Sequence, residues 1–174
     1  MATKKSTQAQ PKGLEDLFHH GLKDIYYAER KILTALRKMA KAAQSQEVTA
    51  AFEKHRVETE GQVERLQQVF EIFGKRAQGK TCPGIDGIIE EGEEILDDFK
   101  NAPALDAALV AAAQAVEHYE ISRYGALATW AGLLGLKDAV ALLEQSLEEE
   151  KRTDATLTQL GEGGVNERAL QEAA

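Results

Sequence analysis

The segment AQAVEHYEISRY, Ala113–Tyr124, decides the fold of this chain. It lies in a long apolar pattern whose core face recurs at alternating spacings of three and four residues, as in a helix of a bundle. That face consists of Val110, Ala113, Glu117, Glu120, Tyr124, Leu127, Ala131 and Leu134. Burying an ionised carboxylate without a partner costs several kcal/mol. Either Glu117 and Glu120 are solvated, or a positive group lies in the core.

The composition predicts a single all-α domain. The chain has 174 residues, of which 43% are hydrophobic and 29% charged, enough for a sizeable core. Strong helix formers dominate the sequence. The net charge of −8 argues against a general nucleic-acid binder, although Lys4, Lys5 and Lys12 form a small basic cluster. No apolar run has the length of a membrane span, so we expect no membrane partner.

The cysteine count and the N-terminus favour the cytoplasm. Cys82 is the single cysteine, which excludes an intramolecular disulfide and suits a reducing compartment. The first residues, MATKKSTQAQPKG, lack the apolar segment of a signal peptide. We expect a disordered basic tail at 1–13, a helical bundle at 14–160 and a flexible tail at 161–174.

The hydrophobic periodicity predicts four long helices and one short one. The long helices are Leu14–Ala43, Gln46–Phe73, Ala104–Leu134 and Lys137–Leu160. Gly74, Gly135 and Gly161 follow three of them and are typical helix stops. The short helix, Gly84–Phe99, is amphipathic, and we interpret its acidic side as a solvated face.

The connection lengths predict the topology. The first and second long helices are joined by a short loop, as are the third and fourth, so each pair forms an antiparallel hairpin. About thirty residues, which contain the short helix, separate the hairpins. Two hairpins joined by one long crossover form the ferritin-like four-helix bundle.

Each long helix has an ionisable residue near the middle of its apolar face. These residues are Glu29 on the first helix, His55 and Glu58 on the second, Glu117 and Glu120 on the third, and Glu150 and Asp154 on the fourth. An antiparallel bundle would bring all of them to one level. Six carboxylates and one imidazole would repel one another there without cations. Two divalent ions, iron or manganese, would supply positive charge and accept oxygen and nitrogen ligands.

Other interpretations of these residues stay open. The layer is also compatible with a water-filled centre and partly protonated acids, without metal. Glu29 taken alone fits an ion pair with a lysine or arginine equally well. On the second helix, Thr59 competes with Glu58 for the position on the core face.

Four segments resemble the YciF/YciE-like proteins, a bacterial stress-associated family of the ferritin-like superfamily. They are DIYYAERKIL, FEKHRVETEGQVERLQQVF, AAQAVEHYEISRYGALATWAGLLG and LLEQSLEEEKRTDATL. The resemblance covers Leu14–Leu160. It implies a ferritin-like bundle of five helices and a homodimer, but it implies no known reaction.

The chain is more remotely similar to rubrerythrins and manganese catalases. Their pattern has one glutamate on the first and third long helices and Glu-x-x-His on the second and fourth. Here the second helix has His55 before Glu58, the fourth has Asp154 where that pattern has histidine, and Glu120 is an additional carboxylate. The departures leave the metal and its redox cycling open.

Three functional hypotheses follow. The leading one is a dinuclear metal oxidoreductase that acts on peroxide or dioxygen, a small oxidant substrate. Tyr124, one turn beyond Glu120, would lie next to the ligands or accept a radical. The second hypothesis is a non-catalytic dimeric stress or scaffold protein with structural metal or none. The third is iron storage, which requires a closed shell of many subunits.

Overall fold

The computed structural model describes residues 11–172, and within them helices and their connections account for the fold. The main helices are α1 Leu14–Ala42, α2 Gln46–Ile72, α3 Pro83–Asp98, α4 Leu105–Leu133 and α5 Lys137–Leu160. A π-helical turn, Gly161–Val165, leads into the short helix α6, Asn166–Glu172. The bounds of α1 to α5 differ from the predicted ones by no more than one residue at either end. The all-α prediction is confirmed.

The four long helices form an antiparallel bundle. α1 and α5 each lie beside both α2 and α4, and the short connections 43–45 and 134–136 close two hairpins. Gly21 on α1 packs against Leu127 on α4, whereas the backbone N–H of Gln44 donates to Asp106 at the start of α4. α1 and α4 are therefore antiparallel too. α3 runs along the outside against α4 and α1, so the predicted ferritin-like bundle with a helix in its crossover is confirmed.

A buried aspartate fixes the α1–α2 connection against the other hairpin. Both carboxylate oxygens of Asp106 accept hydrogen bonds at 2.7 Å, from the backbone N–H groups of Gln44 and Ser45. Ser45 caps α2 by accepting from the N–H of Val48 at 3.3 Å. Asp106 is thus a satisfied structural residue, because its burial is matched by two donors.

The bundle core is apolar at both ends and polar in the middle. Phe18, Leu22, Val48, Val69 and Leu143 are among the side chains that form its apolar parts. Between these parts lies a layer of buried polar side chains. Its members are Glu29, His55, Thr59, Gln62, Glu117, Glu120, Ser146 and Glu150. The apolar periodicity therefore positions one polar layer at mid-depth.

The segment after α5 differs from the expected flexible tail. Gly161 has helical dihedrals, φ −60° and ψ −51°, so it does not end the helix, and the chain bends only at Gly164, where φ is 125°. Val165 beyond the bend is buried, with 3% of its surface exposed. This segment belongs to the folded domain because Val165 packs into the core.

Two further expectations concern the N-terminal tail and the membrane. Residues 1–10, including Lys4 and Lys5, lie outside the described part of the chain, so the predicted disorder of 1–13 remains a prediction. None of the helices in residues 11–172 combines the length and the apolar character that crossing a membrane requires.

Candidate metal centre

Four buried side chains from three helices converge in the polar layer. They are His55 from α2, Glu117 and Glu120 from α4, and Glu150 from α5, and we refer to them as the core cluster. Each offers one ligand atom, and these four atoms all lie within 4.8 Å of one another. Glu117 and Glu120 share one face of α4 because they are one helical turn apart. The structure thus brings four of the seven predicted metal ligands together.

The imidazole of His55 spans the core cluster and its rim. Nε2 lies 3.1 Å from Oε1 of Glu117 and 4.0 Å from Oε2 of Glu150. On the other side of the ring, Nδ1 lies 3.5 Å from Oγ1 of Thr153 on α5. One ring nitrogen therefore faces the carboxylates, and the other faces a hydroxyl.

Glu29 on α1 adds a fourth carboxyl group beside the core cluster. It is fully buried, and its Oε1 accepts a hydrogen bond from the hydroxyl of Tyr124. Burial, followed by the charge of Glu150, raises the pKa of Glu29 to about 8. Burial, followed by the charges of Glu29 and Glu120, raises the pKa of Tyr124 well above its usual value. Tyr124 thus lies next to the candidate ligands and contacts them through Glu29.

Glu29 and the four side chains of the core cluster have unusually few hydrogen-bond partners. Within the described part of the chain, seven of their polar atoms are buried without a hydrogen bond. They are Oε2 of Glu29, Nε2 of His55, both carboxyl oxygens of Glu117 and of Glu120, and Oε2 of Glu150. Buried polar atoms normally have partners, so this concentration fits either a missing cation or protons shared between neighbouring carboxyl groups, Glu29 with Glu120 and Glu117 with Glu150. Carboxylate oxygens with one imidazole nitrogen suit a divalent iron or manganese ion.

Burial also shifts the acidity of the core cluster. Loss of hydration is the largest cause for each of its three glutamates. It raises the pKa of Glu117 to about 8, and it raises the pKa values of Glu120 and Glu150 well above the usual range. Neighbouring carboxylate charges raise all three further. Without a cation, some of these three carboxyl groups are therefore protonated at neutral pH.

Gln62 is a site residue that was not predicted. It is fully buried, and its Nε2 donates to Oε1 of Glu150 and, at 3.3 Å, to Oε2 of Glu149. Glu149 in turn pairs with Arg65. The signal in the sequence is the position of Gln62 on the core face of α2, two helical turns beyond His55. This amide holds Glu150 from the side of α2.

The structure does not bring Glu58 into the core cluster. Its side chain is 19% exposed and lies 3.4 Å from Arg152 and 3.8 Å from Lys54. Thr59 takes the core position instead, fully buried, with its hydroxyl donating to the backbone oxygen of His55 at 2.9 Å. Of the two candidates on this face, the threonine is the one that faces the core.

Asp154, like Glu58, lies at the partly exposed rim of the polar layer and not in the core cluster. Its side chain is 25% exposed, and Oδ1 lies 3.4 Å from Nε2 of His118 and accepts from Nε2 of Gln114 at 3.2 Å. Both partners project from α4 on the outside of the bundle. Glu58 and Asp154 are therefore placed around the core cluster, while Glu29 is placed beside it.

Fold and site together define a ferritin-like helical bundle with a buried carboxylate–histidine cluster. The family model described as "Domain of unknown function (DUF892)" matches residues 13–170. Protein YciF of Escherichia coli (strain K12) is 44% identical over 163 residues, which cover 93% of this chain and 98% of YciF. The chain belongs to the YciF-like DUF892 family.

Solved structures agree with this assignment. The crystal structure of the E. coli stress protein YciF matches with a TM-score of 0.85 and 44% identity, and covers 90% of this chain and 99% of its own. YcfI of Rhodopseudomonas palustris, provisionally described as a structural protein, matches with a TM-score of 0.82 and 46% identity, and the match covers 86% of this chain and 95% of YcfI. A Xanthomonas campestris protein, at 21% identity and a TM-score of 0.75 over 93% of this chain and 100% of its own, shares the fold.

Proposed function

We propose that this protein binds two divalent iron or manganese ions in its polar layer and acts on peroxide or dioxygen. The observation that carries the proposal is the set of seven buried polar atoms without partners on Glu29 and the core cluster. Oxygen and nitrogen ligands in this proportion suit iron and manganese.

Charge supports two ions rather than one. The four glutamates at this level, Glu29, Glu117, Glu120 and Glu150, carry four negative charges when ionised. Two divalent cations would balance them inside an apolar core, where uncompensated charge is costly. Because Glu58 and Asp154 lie outside the layer, two divalent ions face four carboxylates and not the six that the sequence predicted, and their charges can cancel.

The residues have distinct roles in this proposal. His55 supplies a neutral nitrogen, and the four glutamates supply oxygens. When bound, such ions supply the redox and Lewis-acid chemistry that peroxide or dioxygen requires. Tyr124 holds its hydroxyl hydrogen against Glu29, and Gln62 orients Glu150. The buried side chains above and below the layer exclude bulk water.

A second candidate is a non-catalytic stress or structural protein with metal-free acids. The raised pKa values of Glu29 and Glu117, about 8, support it, because protonated carboxyl groups would make the layer nearly neutral. The description of YcfI as a structural protein points in the same direction. In both candidates a stress-associated role is proposed by likeness to the E. coli stress protein YciF.

Metal content and turnover test the proposal. Protein purified without chelators would be subjected to elemental analysis, stripped, reloaded with ferrous iron or manganese, and assayed for peroxide consumption and oxygen uptake. We expect about two ions per chain, retained by Glu144→Gln, which alters an exposed residue of α5, and lost from Glu117→Gln/Glu120→Gln. Protein that retains neither metal would refute the proposal and favour the metal-free candidate.

A further inference from the structure

We infer that Thr153 and Glu58 fix the tautomer of His55, so that its Nε2 lone pair faces the core cluster. The consequence for metal binding rests on the proposed function, whereas the tautomer can be measured without metal. Thr153 and Glu58 are then positioning residues: they act on the core cluster through His55.

The carboxylate of Glu58 lies at the partly exposed rim of the polar layer. It forms ion pairs with Arg152 at 3.4 Å and Lys54 at 3.8 Å. An ionised carboxylate accepts hydrogen bonds and cannot donate them. Any hydrogen bond between Glu58 and a hydroxyl group must therefore use the hydrogen of the hydroxyl.

The hydroxyl in question belongs to Thr153, which lies between Glu58 and His55. Its Oγ1 donates to Oε2 of Glu58 at 3.5 Å and lies 3.5 Å from Nδ1 of His55. Threonine has one hydroxyl hydrogen, and Glu58 takes it, so towards His55 the oxygen can only accept. Nδ1 must then be the donor. Both distances, 3.5 Å, are longer than those of ordinary hydrogen bonds. A cation at Nε2 would make Nδ1–H a stronger donor and draw His55 and Thr153 closer together.

The opposite tautomer fits less well. A hydrogen on Nε2 would point into the core cluster, where Nε2 lies 3.1 Å from Oε1 of Glu117 but forms no hydrogen bond with any described residue. Nδ1 would then compete with Glu58 for the hydrogen of Thr153. The tautomer with its hydrogen on Nδ1 satisfies the rim and leaves the Nε2 lone pair free for a cation.

This arrangement gives a physical meaning to the order His55-x-x-Glu58. Glu58 lies one turn further along α2, where it reaches the rim and, through Thr153, the outer face of the same imidazole. Ligating histidines are commonly oriented by such outer hydrogen bonds, whose loss weakens metal affinity about 10- to 100-fold. Glu58 thus serves the site without being a ligand.

The test uses the full chain and two independent measurements. In the metal-free protein, long-range ¹H–¹⁵N correlation spectra identify which nitrogens of the His55 ring bear hydrogen. Titration with manganese, followed by the EPR signal of the free ion, gives affinity. The variants are Thr153→Val, which removes the hydroxyl at constant shape, Thr153→Ser, which restores it, and Glu58→Gln at the partly exposed rim. Thr156→Val is the control, because the Thr156 hydroxyl bonds the backbone of its own helix.

We expect hydrogen on Nδ1 in the parent, a mixture of tautomers in Thr153→Val, and recovery in Thr153→Ser. Manganese affinity should fall about 10-fold or more in Thr153→Val, remain within about twofold in Thr156→Val, and fall no further when Glu58→Gln is added to Thr153→Val. Hydrogen on Nε2 in the parent, or equal losses in both valine variants, would overturn the inference. A parent without manganese affinity refutes the proposed function, while the tautomer spectra still decide the role of Thr153.

Discussion

Tyr124 on α4 donates its hydroxyl hydrogen to Oε1 of Glu29 on α1, and both side chains are fully buried. The bond joins the two hairpins at the level of the core cluster. It is also the contact through which an aromatic ring reaches the candidate ligands. Its removal should therefore affect both the stability of the bundle and the acidity of Glu29.

Replacing Tyr124 with phenylalanine should lower the free energy of unfolding of the metal-free protein by about 1–3 kcal/mol, because Oε1 of Glu29 loses its donor. The pKa of Glu29 should rise further, since this hydrogen bond lowers it. Urea unfolding measures the first effect. Tyr27→Phe is the control, because the Tyr27 hydroxyl bonds Asp86 near the surface. Equal decreases in the free energy of unfolding of both variants would show that the buried hydrogen bond stabilises the protein no more than the one near the surface.

The helical period predicts most of this site and fails at its edges. Glu29, His55, Glu117, Glu120 and Glu150 recur with the apolar residues of their helices and are all buried. Glu117 and Glu120 share the core face of α4 because they are one helical turn apart, with buried residues before and after them along the helix. The period alone therefore locates the residues at the centre of each buried stripe.

At the margin of a stripe, the period cannot decide between neighbours. Glu58 and Thr59 are adjacent, and the small hydroxyl side chain turns inwards while the carboxylate finds Arg152 and Lys54. Asp154 follows Glu150 by one turn but meets Gln114 and His118 of α4. These outcomes depend on partners from other helices, which no single-helix pattern contains.

Val165 is the clearest case of a residue whose role depends on tertiary contact. The segment after Gly161 lacks a periodic apolar face, which predicts a flexible tail, yet Val165 is buried. Val165→Ala should lower the free energy of unfolding by about 1–2 kcal/mol through lost apolar burial. Leu170→Ala is the control, since Leu170 is 77% exposed. Thermal or urea unfolding would separate the two, and an unchanged Val165→Ala protein would mean that this segment does not dock in solution.

We propose a homodimer that uses the crossover helix α3. Its Ile88, Ile89, Ile95 and Leu96 are only partly covered within the chain, and such a face gains from burial against a second copy. Sedimentation velocity at micromolar concentration should give twice the chain mass of 19.0 kDa. Ile95→Asp should shift the protein towards monomer, whereas Leu133→Asp, at an exposed position of α4, should not. A monomeric parent would contradict the proposal.

The metal-free protein should lose stability as pH rises. The pKa values of Glu29 and Glu117 are about 8 in the folded state against 4.5 for the free side chain. Between these values the folded state holds more protons than the unfolded state, so the free energy of unfolding falls with pH, by at most about 1.4 kcal/mol per pH unit for each proton. Urea unfolding with chelator from pH 5 to 9 checks the sign. A flat or rising profile would mean that the glutamates are ionised and already compensated.

Replacing Glu120 with glutamine should separate metal binding from the stability of the metal-free protein. Burial is the main cause of the raised pKa of Glu120, followed by the charges of Glu150, Glu29 and Glu117. The amide keeps the shape of the side chain but has no proton to take up on folding. Glu120→Gln should therefore be at least as stable as the parent with chelator, and the difference should grow as pH rises above the ordinary glutamate range.

With manganese or ferrous iron the parent should be more stable than Glu120→Gln. A neutral amide is a weaker ligand than a carboxylate, and the stabilisation by a bound ion depends on its affinity. Thermal unfolding of the parent, Glu120→Gln and the exposed control Glu144→Gln, each with chelator and with metal across the neutral range, measures both effects. Glu144→Gln should follow the parent in every condition. If metal shifts no melting curve and Glu120→Gln destabilises the chelated protein, Glu120 is compensated by a positive group of the protein itself, and the metal centre proposed for the core does not exist.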